Sequence, residues 1–382
     1  MMYRSRSLMP LLFLFLATAL SAQTKLTVTN GSRSTVRVRE QRVNIWADPD
    51  PENMVFDRWI GDTTLVEDPT SAASFVNPLS KDIALTATYK PAPSWSLTEE
   101  TINGVDVLYY IPPKRVGIIF RFHGSGGSAQ STLSSVESRI FSNDAVAAGY
   151  GIIALDSTDR VNGYWSFLPP PNNPDLTNIQ AVITSFQQRG IISATDPIVA
   201  QGTSRGGVFS SVAAYYLNFK AAAIYIGFGV NSIMPLTTVP TIFCSAVNDD
   251  EDLVGPEGNQ RAHDQAVSLQ QRGIMASFNL HPATPVYPER FWRLANLTEA
   301  DSHNIYNALK NGGFLDGRDF LIDNPRNTNW QSVIPAQYSP YISGISTILG
   351  SSYANHSFFS DYDSRVLSFY NSAINTARQR SK

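Results

Sequence analysis

Residues 196–216 read DPIVAQGTSRGGVFSSVAAYY, and this stretch decides the fold. Pro197 to Ala200 is a short apolar run of strand character, and small and apolar residues at helical density follow Gly207. Between them Gly202, Ser204 and Gly206 form G-x-S-x-G, a turn that leaves a buried strand and enters a helix with no loop between. Glycines at both flanks meet the demand of a backbone so tight that a Cβ has no room. A strand-to-helix connection needs none of this for its own sake. A nucleophile lifted onto the end of a strand does, and the helix N-terminus behind it carries partial positive charge toward a forming oxyanion.

The rest of the chain sets the frame for that turn. Its 382 residues exceed one ordinary domain, and 43% hydrophobic content supports a large core. A net charge of −3, with only 16% charged residues, gives no electrostatic footprint for nucleic acid or an anionic membrane, and both are set aside as partners. Cys244 is the only cysteine, so no intrachain disulfide forms, and its apolar run TIFCSAV marks an inert core thiol. No Cys/His cluster has metal-ligand spacing. At the N-terminus Arg4 and Arg6, then LMPLLFLFLATAL, then ALSAQ, follow the order of a secretory signal peptide over residues 1–22. The expected location is therefore secreted or periplasmic.

Residues 24–91 alternate with period two in KLTVTN, RVNIWADP, VFDRWIGD and ALTATYK, which predicts a small all-β module. Its opening LTVTNGS, central MVFDRWIGD and closing DIALTATYKP resemble the divergent internalin B-repeat of secreted and surface bacterial proteins. That resemblance implies an accessory module without chemistry, with Trp59 as a core residue. A proline seam, KPAPSW, then leads to a second region, residues 96–382, where VGIIFRF, GIIALD, PIVAQG, AAAIYIGFG, TIFCSAV and MASFNLH alternate with helical segments. Continuous apolar strands interleaved with helices predict an α/β fold, a mostly parallel sheet covered on both faces.

From HGSGG (residues 123–127) through GTSRGG (202–207) to HSFF (356–359), this region resembles the α/β-hydrolase superfamily. Within it the chain looks most like secreted esterases of the polyhydroxybutyrate-depolymerase and feruloyl-esterase type. The resemblance implies a cofactor-free serine hydrolase that cleaves carboxylic esters, of a polymer or the plant cell wall, through an acyl-enzyme. Ser204 is the implied nucleophile, and the N–H groups of Ser125 and Arg205 are the implied oxyanion donors. His123 reads as a brace for its loop. His356, on the loop before the last helix, is the implied base ahead of His281, while His263 and His303 lie in polar helices. The acid comes from SAVNDDEDLVGP: Asp249 stands nearest the strand end, but the D-x-V-x-P register with Val254 and Pro256 favours Asp252, leaving Asp249, Asp250 and Glu251 as a solvated acidic turn. Tyr164 and Trp165, in the loop after strand GIIALD, are expected at the cleft mouth as substrate contacts. The long segment after His281 reads as an insertion that caps the site. Two other readings share these features: a serine peptidase of the prolyl-oligopeptidase kind, and a non-catalytic adhesion protein in which the β module does the work.

Overall fold

The computed structural model describes residues 23–32, 34–38, 42–78, 81–252 and 254–380, so the expected signal peptide lies outside the described residues. Seven strands build the N-terminal region: β1 (Gln23–Thr29), β2 (Gly31–Ser32), β3 (Thr35–Val38), β4 (Val43–Ala47), β5 (Met54–Gly61), β6 (Ala73–Val76) and β7 (Ile83–Pro91). They form a four-stranded sheet, β3-β1-β7-β5, and a three-stranded sheet, β2-β4-β6. Alternate residues of β1 and β7, among them Leu26, Ile83 and Leu85, point into one small core around Trp59. Trp59 is 1% exposed and its Nε1–H donates to Ser71 O at 3.0 Å, so it is a core tryptophan.

Eight strands form the second sheet: β8 (Thr98–Ile102), β9 (Val105–Tyr110), β10 (Gly117–Phe122), β11 (Tyr150–Leu155), β12 (Ile198–Thr203), β13 (Ala222–Tyr225), β14 (Thr241–Ala246) and β15 (Ala276–His281). Their spatial order is β8-β9-β11-β10-β12-β13-β14-β15, antiparallel at β8/β9 and β9/β11 and parallel from there on. The hairpin β8–β9 turns on Asn103–Gly104, both at positive φ, the pair that a tight two-residue hairpin favours. Along β13 the side chains divide between the two faces: Ala223 and Tyr225 join Phe141 of α2 (Val136–Ala147) and Tyr370 of α8 (Asp363–Arg380). Ala222 packs oppositely, with Ile179 of α3 (Pro174–Gln188) and Phe209 of α4 (Arg205–Tyr216). Ile224 meets Leu269 of α5 (Gly255–Gln271). A short α1 (Ala129–Ser134) precedes α2. Burial on both faces explains why these strands read as unbroken apolar runs.

The insertion between β15 and His356 contains α6 (Glu299–Asn311), α7 (Ile342–Tyr353) and four 3-10 turns, three of which begin at or hold a proline. It has a core of its own, with Phe291, Leu309, Trp330 and Leu349 gathered on Val136 of α2. Tyr287 at its start stacks on Trp46 of the β module, centroids 4.3 Å apart. The expected cap is therefore mainly a lateral buttress, wedged between α2 and the β module. Residues 323–328 and the end of α7 are the parts of it that meet the acid loop of the candidate site. The β module is also hydrogen-bonded to the chain just before and within α8: Ser71 Oγ donates to Asp361 O at 3.1 Å, and Arg365 pairs with Glu67 at 2.8 Å.

Candidate active site

The elbow is as tight as its glycines imply. Ser204 sits at φ 55°, ψ −122°, a conformation costing a non-glycine residue on the order of 1–3 kcal/mol. Its N–H donates to Tyr225 O at 2.9 Å, which fixes the turn between β12 and α4. A Cβ at Gly202 would stand 2.0 Å from Gly206 O, and one at Gly206 would stand 2.3 Å from the carbonyls of Phe122 and His123. No side chain fits either place. The strain is held by the parallel pairing of β12 with β10 and β13 on either side.

His356 follows α7, after Ala354 has turned the chain at φ 58°. Its Nε2 lies 2.7 Å from Ser204 Oγ, and its Nδ1 lies 2.9 and 3.0 Å from the two carboxylate oxygens of Asp249. A carboxylate can only accept, so Nδ1 carries the proton and Nε2 is left as the acceptor for the serine hydroxyl. Asp249 is 2% exposed. Asp252, the acid favoured by the D-x-V-x-P register, is instead exposed in the turn leading to α5. The register does mark the helix start, with Pro256 in its first turn. The acid, however, follows from the strand end: Asn248 N–H donates to Ala354 O (2.9 Å) and Asn248 Nδ2 to Tyr353 O (2.7 Å). These bonds bind the end of β14 to the segment before His356 and place the next residue, Asp249, behind the imidazole. The remaining acids are not an idle turn either. Asp250 accepts from Asn324 Nδ2 (2.8 Å), and Glu251 lies 3.7 Å from Arg326, whose other nitrogen donates to His356 O.

Of the two expected oxyanion donors, one adjoins the serine in the chain and the other follows a glycine packed against it. Arg205 opens α4, so its N–H has no intrahelical acceptor. Ser125 lies in the exposed turn after Gly124, where a Cβ would stand 3.6 Å from Ser204 Cβ. That turn is held by Gly127 N–H to Gly124 O (3.1 Å) and Gly126 N–H to Asn162 O (2.9 Å). His123 braces the same loop: its Nδ1 donates to Gly124 O (2.8 Å) and its Nε2 accepts from Ser157 N–H (3.1 Å), while burial pushes its pKa down.

Of the two aromatics expected at the cleft mouth, one is there. Tyr164 is 43% exposed, with the Arg205 guanidinium 4.2 Å over its ring. Trp165 is not a surface contact. It is 1% exposed, stacks on Phe209 at 4.6 Å, and donates from Nε1 to His123 O at 2.8 Å. The larger ring gains more by burial against α4, and its N–H finds a carbonyl there. The other histidines are accounted for elsewhere. His263 is exposed on α5, His303 lies 3.4 Å from Glu289, and His281 is buried against Asp361. Asn324 and Arg326 carry no signal in the sequence, because only the folding of the insertion brings them to the acid loop.

Numbered from β8, the strand order becomes 1-2-4-3-5-6-7-8, with the elbow after the fifth strand. The chain has the α/β-hydrolase fold. No protein-family profile matches it, and no curated protein is similar to it in sequence. Among solved structures it is similar to an acetyl xylan esterase from Aspergillus awamori, at 14% identity over 46% of this chain and 81% of that one, TM-score 0.35. Est1E from Butyrivibrio proteoclasticus matches at 13% identity over 50% and 90%, TM-score 0.37. XC6422 from Xanthomonas campestris, an α/β serine hydrolase without a lid, matches at 16% over 51% and 88%, TM-score 0.35. Likenesses of this size add nothing about chemistry, which is read from the residues themselves.

Proposed function

We propose that the protein is a serine hydrolase that cleaves carboxylic esters through a covalent acyl-enzyme on Ser204. The observation that carries this reading is the unbroken chain Ser204 Oγ–His356 Nε2 (2.7 Å) and His356 Nδ1–Asp249 (2.9 Å), built on a strained elbow. Ser204 Oγ attacks the ester carbonyl as His356 Nε2 takes its proton. The tetrahedral oxyanion is received by the N–H groups of Arg205 and Ser125, and the alcohol leaves with the proton from His356. Water repeats the cycle on the acyl-enzyme, returning the acid and free serine. Asp249 holds the imidazole in the one tautomer that can accept from serine. The arginine-bearing apolar N-terminus supports an exported enzyme, and the exposed ring of Tyr164 against Arg205 suits contact with a bulky or polymeric ester.

A fluorophosphonate should label the wild-type chain once and fail to label Ser204→Ala, which should also lose hydrolysis of 4-nitrophenyl acetate by about a thousandfold or more while keeping its melting temperature. Faster cleavage of peptide anilides than of esters would favour a peptidase. Labelling that persists in Ser204→Ala would end the proposal.

A further inference from the structure

The residue directly after the nucleophile carries a cation that the fold leaves without a contact counter-ion. Arg205 is half-buried, and its guanidinium lies between two rings, 4.2 Å from the Tyr164 centroid and 4.7 Å from that of Phe167. One nitrogen, Nη2, reaches Trp165 O at 3.3 Å, and Nε is buried with no hydrogen-bond partner. No carboxylate of the described residues lies within 4.0 Å of the Arg205 nitrogens, although ten other arginines form such pairs. Two acids stand in the neighbouring loop, and both are engaged. Asp159 accepts from the N–H groups of Val161 and Asn162 and from Asn162 Nδ2, and feels the Arg205 charge only from beyond contact distance, while Asp156 pairs with Arg160.

This arrangement differs from an arginine used only as structural glue. A guanidinium that merely strapped the 157–168 loop to the elbow would satisfy its donors on carbonyls of that loop. Here one long bond is made, and the faces are occupied by rings, which hold the plane without using its N–H groups. The Nη1 and Nη2 donors, which are not sealed in as Nε is, remain for a ligand, on the residue next to Ser204. The loop bearing Tyr164 is itself seated on the glycine turn expected to supply the other oxyanion donor. A Cβ at Gly163 would stand 2.8 Å from Gly126 Cα. Cation, aromatic wall and nucleophile therefore belong to one rigid assembly.

We infer that Arg205 is a specificity residue for an anionic substrate: an ester that carries a carboxylate within a few atoms of the scissile carbonyl, held on the guanidinium edge with Tyr164 as its apolar wall. The inference rests on the esterase reading above. A bidentate guanidinium–carboxylate contact in a partly desolvated site is among the stronger hydrogen-bonded pairs a protein makes. The substrate's charge would then bind on the loop of residues 164–167 that packs against the residue after the nucleophile.

The test uses the full chain and two matched pairs of esters, each normalised to its rate with hydroxide. The mono-4-nitrophenyl ester of adipic acid is compared with its terminal amide, which reads the acyl side. The acetates of 4-hydroxybenzoic acid and of its amide read the alcohol side. In at least one pair the wild type should prefer the anion by about tenfold or more in kcat/KM, the order expected for one hydrogen bond to a charged group. Arg205→Gln should bring that ratio close to one, Arg205→Lys should keep part of it, and high salt should shrink it in the wild type. Equal rates within both wild-type pairs would overturn the inference while leaving the esterase intact. A preference that survives Arg205→Gln, with both members slowed alike, would also overturn it and leave Arg205 as a strap. Hydrolysis of none of the four esters, with Ser204 unlabelled by fluorophosphonate, would remove the esterase reading and this one with it.

Discussion

Among the described residues two buried histidine–aspartate pairs of similar length, His356 through Nδ1 and His281 through Nε2, do opposite things. His356 meets Asp249 at 2.9 Å, and His281 meets Asp361 at 2.7 Å. Both acids are almost fully buried, and both pairs lie at the carboxyl end of the sheet. The difference is at the other imidazole nitrogen. In His356 it faces Ser204 Oγ, and a tenth of the side chain is exposed. In His281 it is buried without a partner, and the ring is stacked flat on Phe359 at 4.2 Å. Among the described residues no hydroxyl or thiol bonds to it. A His–Asp pair becomes a candidate relay only through what stands beyond it.

The second pair holds structure together. Asp361 lies 3.6 Å from Arg290 of the insertion, and its backbone carbonyl accepts from Ser71 of the β module. Burial alone would raise the Asp361 pKa, but Arg290, His281 and Arg293 outweigh it and hold the carboxyl below the usual range. Next to it, Glu137 of α2 accepts from Ser360 N and Oγ. Residues 360–361 therefore tie α2, β15, the insertion and the β module to the segment that carries His356.

Exchanging the acids of the two pairs should separate these roles. Asp249→Asn should cost the largest factor, about 10⁴-fold in kcat, because an amide at this place favours the wrong imidazole tautomer. Its KM and melting temperature should change little, and Asp252→Asn, three residues on, should stay near wild type in the same assay. A severe loss in Asp252→Asn with Asp249→Asn unaffected would reverse the assignment. Asp361→Asn should do the converse. Removing one partner from a buried charged cluster costs about 3–5 kcal/mol of stability in urea unfolding, while kcat of the folded fraction should fall by no more than about tenfold. An Asp361→Asn chain of unchanged stability and abolished turnover would make the two pairs alike.

The smallest expected effect is in pH. Asp361 is held ionised in the folded state, so the stability it adds is present above the unfolded carboxyl value of about 4 and is lost as pH falls below it. The acids at the seam with the β module have the opposite sign. Burial pushes Asp50 up to about 6, against Arg293 and its bond from Phe56 N–H. Burial and then Asp50 push Asp144 up to about 8, against Lys90 and Arg293. The folded chain binds these protons more tightly than the unfolded chain, so stability should decline as pH rises toward 8. Calorimetric melting temperatures should fall from about pH 5 to about pH 8, with that decline flattened in Asp144→Asn. A melting temperature that rises steadily from pH 5 to 8 would contradict this account.

The legible and illegible parts of the site divide along a physical line. The elbow was readable because its requirements are local: Gly202 and Gly206 answer clashes with backbone a few residues away or in the adjoining strand turn. The five parallel strands from β10 to β14 were readable because burial on both faces makes them continuous apolar runs, while β15, at the sheet edge, is only half-buried. The hairpin β8–β9 is not legible as an apolar run, although Asn103–Gly104 signals its turn, because its exposed outer strand carries Thr98, Glu99 and Glu100. Tyr164 and Trp165 could not be told apart by sequence, because adjacent aromatics in a loop differ only in which one the neighbouring core accepts.

The sequence by itself determined the fold class and singled out the candidate nucleophile and the candidate histidine that ends the insertion, because glycine spacing, apolar runs and chain order are properties of neighbouring residues. Tertiary structure alone singled out the candidate acid. Four carboxylates within four positions are equivalent as letters. They become unequal only when Asn248 is pinned to Tyr353 and Ala354, more than a hundred residues away, so that Asp249 is buried behind His356 and Asp252 is left in solvent.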